Sequence, residues 1–331
     1  MVKVDACAVG LHYLVFKQVA RDIAEAVGMG YAETPRDAVR AGCRNLLIVD
    51  NVNERVGFIA RRWRAEAGGD VVFYAVTEGP VVVAPGDGYG RYIAELTRIV
   101  TPSDHARRWL EEAGYHVEAV VPHGVRVPEK AKGYEGRARR AIYRAYYIKR
   151  KFPPYGIAAV RKAMSQGYPI TIYIRDDLYP QGLEPRHQAL LQALGQGVVI
   201  ENSWSTTREK VLSDIEGSLF FLNLADGGGF ELEVLESMAV GTPAITAYFP
   251  PISEYYPRNE LTVEPIGEWD EGYPYITIVH YAYNPDDMVE AIRRAFEMPR
   301  ERWEALSAEL RERAREYDYR RVYQAFAKLL G

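Results

Sequence analysis

The residues best placed to do chemistry lie between Asn223 and Pro243, where Gly227-Gly228-Gly229 is followed by Phe230-Glu231-Leu232-Glu233-Val234-Leu235-Glu236 and closes at Gly241-Thr242-Pro243. Three glycines at the start of a helix let backbone amides approach a ligand closely. The helix N-terminus adds a partial positive charge that favours phosphate. Leu232, Leu235 and Ala239 form an apolar stripe at three- and four-residue spacing, with Glu236 at its edge. A carboxylate at the margin of a core helix needs a partner, and a carboxylate can hold both hydroxyls of a ribose. Glu231 and Glu233 fall in the first turn, where acids complement the helix dipole. A second source of chemistry is positions 137–151, with seven basic residues and no acid. Arg144 and Lys149 are the expected anion ligands there, and Arg137, Arg139 and Arg140 read as a solvated edge. Two further candidates follow strands. They are His12 in Gly10-Leu11-His12-Tyr13 and Glu78 in Thr77-Glu78-Gly79-Pro80.

Alternating strands and helices must position these groups. Strands are expected at Val2–Val9, Leu46–Asp50, Val71–Val76, Arg98–Pro102 and Val117–Val121, with helices at Leu14–Val27, Arg55–Ala67 and Asp104–Ala113, the last capped by Ser103. Pro128–Gly136 reads as a linker. Alternation then resumes with strands Ala141–Tyr147, Ile170–Ile174, Val198–Ile200, Leu219–Leu222 and Ala244–Thr246. Helices lie between them at Ile157–Gln166, His187–Gly195, Thr207–Ile215 and Glu231–Val240. This pattern predicts two α/β domains with parallel sheets. Ligands of open α/β sheets bind at the carboxyl ends of strands, so two facing domains place the site in the cleft between them.

The 331 residues, 48% hydrophobic and 26% charged with a net charge of −4, describe a soluble globular chain of about two domains and exclude a strongly basic nucleic-acid binder. The first 137 residues hold 18 basic and 18 acidic side chains, so the excess of acid falls in the second half, around the basic cluster. Cys7 and Cys43 cannot supply a disulfide framework or a thiolate metal site. No apolar run approaches a membrane span and no signal-peptide pattern precedes the first strand, which gives a cytoplasmic expectation. Arg61-Arg62-Trp63-Arg64 allows peripheral membrane contact but reads first as a solvated helix face. Seven Asn and seven Gln beside abundant charge fit a heat-adapted protein. Gly86-Asp87-Gly88-Tyr89-Gly90 lacks the dinucleotide fingerprint spacing.

Gly229 to Pro243 resembles the signature of family 4 (GT4) glycosyltransferases, in which Glu-Gly-Phe-Gly-Leu precedes Glu-Ala-Met-Ala-x-Gly-x-Pro. Val100-Thr101-Pro102-Ser103, Val121-Pro122-His123-Gly124-Val125, the Arg144/Lys149 spacing and the closing Tyr319–Leu330 segment agree with that family in order. The resemblance implies a GT-B fold: an acceptor domain over residues 1–136, a donor domain over 137–316 and a helix at 317–331 crossing back to the first domain. It implies a retaining transferase that needs no metal or other cofactor and moves a sugar from a nucleotide-diphosphate sugar, UDP by default. In that reading Arg144 and Lys149 neutralise the diphosphate, Gly229, Phe230, Glu231 and Leu232 contact phosphate or sugar through their backbone, Glu236 holds the ribose and the base sits near Asn202. His12, Glu78 and Asp226 are the candidates closest to the reaction. Departures occur at Gly228, where the family has its first glutamate, and at Glu231, where it has glycine; Asp226 is the expected substitute for the missing acid. These departures support a second expectation, a GT-B protein that binds a sugar nucleotide or a partner without transferring.

Overall fold

The computed structural model describes residues 5–195, 197–273 and 276–330, so the first residues of the strand expected from Val2 lie outside the described part. The first domain is a six-stranded parallel sheet: β1 (Ala6–Gly10), β2 (Gly30–Tyr31), β3 (Asn45–Asn51), β4 (Val71–Val76), β5 (Thr97–Thr101) and β6 (Val117–Val120), in the order β2-β1-β3-β4-β5-β6. Its helices are α1 (Leu14–Val27), α2 (Pro35–Arg40), α3 (Glu54–Glu66), α4 (Gly90–Leu96) and α5 (Asp104–Glu112). Local signals fix their starts: Thr34, Asn53 and Ser103 each accept a hydrogen bond from a first-turn amide. All six residues of β4 are buried, as expected of a strand covered on both faces.

The second domain repeats the plan with β7 (Ala138–Tyr146), β8 (Ile170–Asp176), β9 (Val198–Asn202), β10 (Ser218–Asn223), β11 (Ala244–Ala247) and β12 (Thr262–Val263), all parallel, in the order β12-β11-β10-β7-β8-β9. Helices α6 (Pro154–Ser165), α7 (Pro185–Leu194), α8 (Arg208–Glu216), α9 (Leu232–Ala239) and α10 (Ile252–Tyr255) connect them. An antiparallel hairpin follows, β13 (Pro265–Gly272) and β14 (Thr277–Tyr283), and then α11 (Pro285–Glu297) and α12 (Arg300–Arg315). The sequence reading assigns no element to residues 265–315.

The chain passes between the domains twice, and the two crossings are hydrogen-bonded to each other: Val125 donates to Tyr317 and Tyr319 donates to Val125. The closing helices α13 (Tyr319–Val322) and α14 (Gln324–Leu330) then pack on the first domain, where Gln324 donates to the Ala26 carbonyl and Asn45 to that of Leu330. Although two cysteines make no framework, the fold sets Cys7 and Cys43 side by side and joins them in a disulfide. Among the described residues no helix is long and apolar enough to cross a membrane.

Candidate functional site

Each sheet has one place where consecutive connections leave in opposite directions, and such a switch point opens a crevice at the strand ends. In the second sheet it lies between β7 and β10; in the first, between β1 and β3. Among the described residues only two non-glycine residues adopt a left-handed backbone, His12 (φ 54°) and Glu231 (φ 57°). His12 is on the loop leaving β1 and Glu231 on the loop leaving β10, one at each switch point. Strain of this kind persists where the surroundings hold it and concentrates at functional sites.

The loop after β7 brings Arg150 and Lys151 to the start of α9. Arg150 donates to Glu231 Oε1 (2.9 Å), to the Gly227 carbonyl (3.0 Å) and, across the domain boundary, to Glu78 Oε1 (2.6 Å). Lys151 pairs with the other oxygen of Glu231 and lies 3.8 Å from Glu233. Burial opposes the charge on Arg150, but Glu78 and Glu231 outweigh it and hold the guanidinium above its ordinary value. For Glu233, burial favours the neutral acid, and Lys151 with Arg175 reverses this and keeps the carboxyl below its ordinary value. Among the described residues the amides of Gly228, Gly229, Phe230 and Glu231 donate to no backbone carbonyl. The site therefore combines a buried cation, Lys151, a largely buried one, Arg150, free loop amides and a helix N-terminus, a set suited to an anion.

The first domain closes over this cradle. His12 Nδ1 is 2.7 Å from Asp50 Oδ2, and Asp50, fully buried, has its carboxyl pushed up by desolvation. Tyr13, next to His12, is exposed at the rim of the cradle; partial burial, then Glu78 and Asp50, raise its hydroxyl pKa, with Arg150 opposing. A cavity of about 380 Å³ opens beside it, lined by His12, Tyr13, Asn51, Asn53, Glu54 and Arg55. The β14 strand covers the glycine loop from another side, with Val279 donating to the Glu78 carbonyl at 3.1 Å.

Several expectations are corrected. Arg144 does not reach the cleft: its fully buried side chain pairs with Glu201 and Asp214 and lies over the Tyr173 ring. It sits inside β7, where side chains alternate between faces, and its side chain turns towards β9 and α8. Lys149 is exposed and pairs with Glu271, leaving the cradle to Arg150 and Lys151. Arg137, read as solvated, is buried and donates to Thr242 and to the Val240 carbonyl, while Arg140 is half-buried and donates to Ser218. Asp226 is not the substitute for the acid missing at 228. Its two oxygens are engaged by Tyr155 and by His280 Nδ1, and it is 1% exposed. The carboxylate beside Gly228 belongs to Glu231: a Cβ placed on Gly228 would lie 2.1 Å from Glu231 Oε1.

Glu236 is buried, but Arg208 holds it at 2.8 Å, and the same guanidinium binds Asp22 of α1. Burial raises the Glu236 carboxyl pKa, an effect that Arg208 offsets in part. Asn202, at the end of β9, accepts from the amides of Trp204 and Ser205 and shapes its own turn. Gly229, Phe230, Glu231 and Leu232 line the start of α9, with the Phe230 ring stacked on Tyr255 and edge-on to His123. A group not apparent in the sequence, Asp176, Glu184 and His187, comes together after β8. Asp176 there accepts from the amides of Leu178 and Glu184 as well as from His187. The spacing of these three residues carries no motif. Only the fold assembles them.

No family model matches this chain, and no curated protein matches it by sequence. Solved structures match closely in shape. The HepE structure from Anabaena in complex with UDP and glucose superposes with a TM-score of 0.71 at 11% identity, covering 98% of this chain and 99% of that one. Sucrose-phosphate synthase from Thermosynechococcus elongatus gives 0.70 at 14% identity, covering 98% of each. TarM gives 0.61 at 11% identity over 87% of this chain, which spans about half (54%) of TarM's length. Two parallel six-stranded sheets facing each other across a cleft, with the last helices returned to the first domain, define this chain as a GT-B fold.

Proposed function

We propose that the chain is a GT-B glycosyltransferase that takes a sugar from a nucleotide-diphosphate sugar, UDP by default, and passes it to an acceptor with retention of configuration and without a metal. One observation carries the reading: Arg150 and Lys151 are held at the N-terminus of α9, at the switch point of the second sheet, with Arg150 facing Glu78 and Tyr13 of the first. Departure of a nucleoside diphosphate builds negative charge on its terminal phosphate. Preorganised cations and amides stabilise that charge without reorganising. Two protein cations at that place supply the neutralisation that a metal provides elsewhere, which supports the metal-independent reading. HepE was solved with UDP and glucose and with UDP-glucose, which supports UDP as the first base to try. His12, oriented by Asp50, lines an open cavity of the first domain, which could admit an acceptor.

The test is release of labelled sugar from UDP-sugars, with and without EDTA, over a panel of acceptors. Lys151→Met should lower turnover by about 10²–10³-fold, the usual loss for one electrostatic stabiliser, and EDTA should leave the rate unchanged. A Lys151→Met enzyme with unaltered turnover removes the cradle from the mechanism. A second reading, a GT-B protein that binds a sugar nucleotide without transferring it, is favoured by one feature: the cradle's cations already face a carboxylate, Glu231. Nucleotide binding with neither transfer nor donor hydrolysis would establish it.

A further inference from the structure

Glu231 combines features that do not arise by accident. It is the residue immediately before α9, it is 6% exposed, and its backbone is left-handed, a conformation that non-glycine residues adopt only at a cost. Its side chain folds back over Gly228 and places one oxygen on Arg150 and the other on Lys151. A two-oxygen anion is thus held by two cations, Arg150 and the buried Lys151, next to the free amides of Gly228–Glu231 and the N-terminus of an eight-residue helix. Those are the partners an external phosphate would need. Arg150 also pairs with Glu78, and Lys151 lies 3.8 Å from Glu233, but only Glu231 binds both cations at once.

We infer that Glu231 is a built-in stand-in for phosphate. It occupies the anion subsite of the cleft and sets the protein's affinity for nucleoside diphosphates, which bind only by displacing its carboxylate from Arg150 and Lys151. The inference rests on the nucleotide-sugar reading, since it concerns the same cradle. It adds a specificity consequence: the resident charge penalises a ligand in proportion to the negative charge that the ligand brings to the cradle. A nucleoside without phosphate does not compete with Glu231, whereas a diphosphate does.

Calorimetric titration of the full chain with UDP, GDP, ADP and uridine, in the wild type, Glu231→Gly and Glu231→Gln, tests this. Glycine accepts the left-handed backbone and removes the carboxylate, and glutamine keeps the shape and removes only the charge. At least one diphosphate should bind ten-fold or more tightly to Glu231→Gly than to the wild type, with Glu231→Gln shifted in the same direction and uridine unchanged. If Glu231→Gly does not fold, the glutamine variant decides by the same comparison. Equal diphosphate affinity in wild type and variants overturns the inference and leaves the nucleotide-sugar reading standing. So does a matching gain for uridine, which would mean that the change opens the cleft rather than freeing the anion subsite. If neither the wild type nor the variants bind any of the three diphosphates, both the inference and the nucleotide-sugar reading fall.

Discussion

At the scale of single residues, the basic cluster divides into cations that hold the fold and cations that face the cleft, and the two kinds respond differently to removal. Arg144 is fully buried between Glu201 and Asp214. Replacing it with alanine leaves Glu201 without its partner and Asp214 with Lys210 alone, and breaking a buried ionic group from one side costs about 3–5 kcal/mol. Arg144→Ala should therefore lower the urea midpoint strongly, whereas Lys149→Ala, at an exposed pair with Glu271, should change stability by no more than about 0.5 kcal/mol. Equal midpoints for the two variants would contradict the separation. Positions 137–151 announce an anion site by composition, and the expected strand Ala141–Tyr147 already contains Arg144, but the family's Arg/Lys spacing assigns that residue to the diphosphate in spite of the strand. The strand runs to Tyr146, two or more residues past the point at which a ligand-binding Arg144 would need it to stop. In the same way Gly228 and Glu231 read as two separate departures from a motif. In space they are one change, because the open position at 228 is where the Glu231 carboxylate lies.

At the scale of elements, the glycine loop is packed from both sides, and this decides what each of its glycines can tolerate. A Cβ on Gly229 would sit 2.7 Å from Val76 Cγ1 and 2.9 Å from the Thr77 carbonyl, at the end of β4 in the other domain. The carbonyl belongs to backbone and cannot rotate away, so Gly229→Ala must lift the loop off the first domain. We expect a loss of about 1–3 kcal/mol, the usual cost of overpacking, with faster hydrogen exchange confined to Gly227–Leu232 and to residues 76–79. Unchanged exchange at residues 76–79 would show that the loop and β4 are not coupled. The strand and helix pattern that places this loop is readable from the chain: α1 runs Leu14–Val27 and β4 Val71–Val76, both where periodicity puts them. The hairpin of β13 and β14 is not readable in that way. Its first strand is largely exposed and carries Glu268, Asp270 and Glu271, so no buried alternation marks it. What makes it part of the site is a long-range pairing, Val279 to Glu78 and Tyr281 to Asp226, that local sequence does not encode.

At the scale of the whole molecule, the two domains meet along a seam that contains two buried histidines, and the seam should respond to acid. His123, in the first crossing segment, contacts the Tyr74 hydroxyl (3.1 Å) and the edge of the Phe230 ring, and burial together with Arg208 pushes its pKa down to about 3. His105, at the start of α5, accepts from Trp109 Nε1 (3.3 Å) while its amide donates to Glu254 of the second domain. Burial and then Arg108 push its pKa down to about 4. Both imidazoles are neutral in the folded chain and take up a proton readily in the unfolded one, whose histidines titrate near 6.5. The folded state then binds fewer protons between those values. The stabilisation is present above pH 6.5 and is lost as pH falls towards 4 for His105 and 3 for His123. Each histidine contributes a slope of up to roughly 1.4 kcal/mol per pH unit in that window. Glu236 and Glu254, whose carboxyls burial raises, act in the opposite sense above pH 4.5, so the wild-type curve alone mixes the two effects. A comparison separates them. Urea unfolding of the wild type and of a His105→Gln, His123→Gln double variant between pH 7 and 5 should give curves that converge as pH falls, because only the wild type carries the histidine loss. Parallel curves over that range would show that the seam is held by its ion pairs, such as Arg208 with Asp22 and Glu236, and that the neutral histidines are not what acid removes.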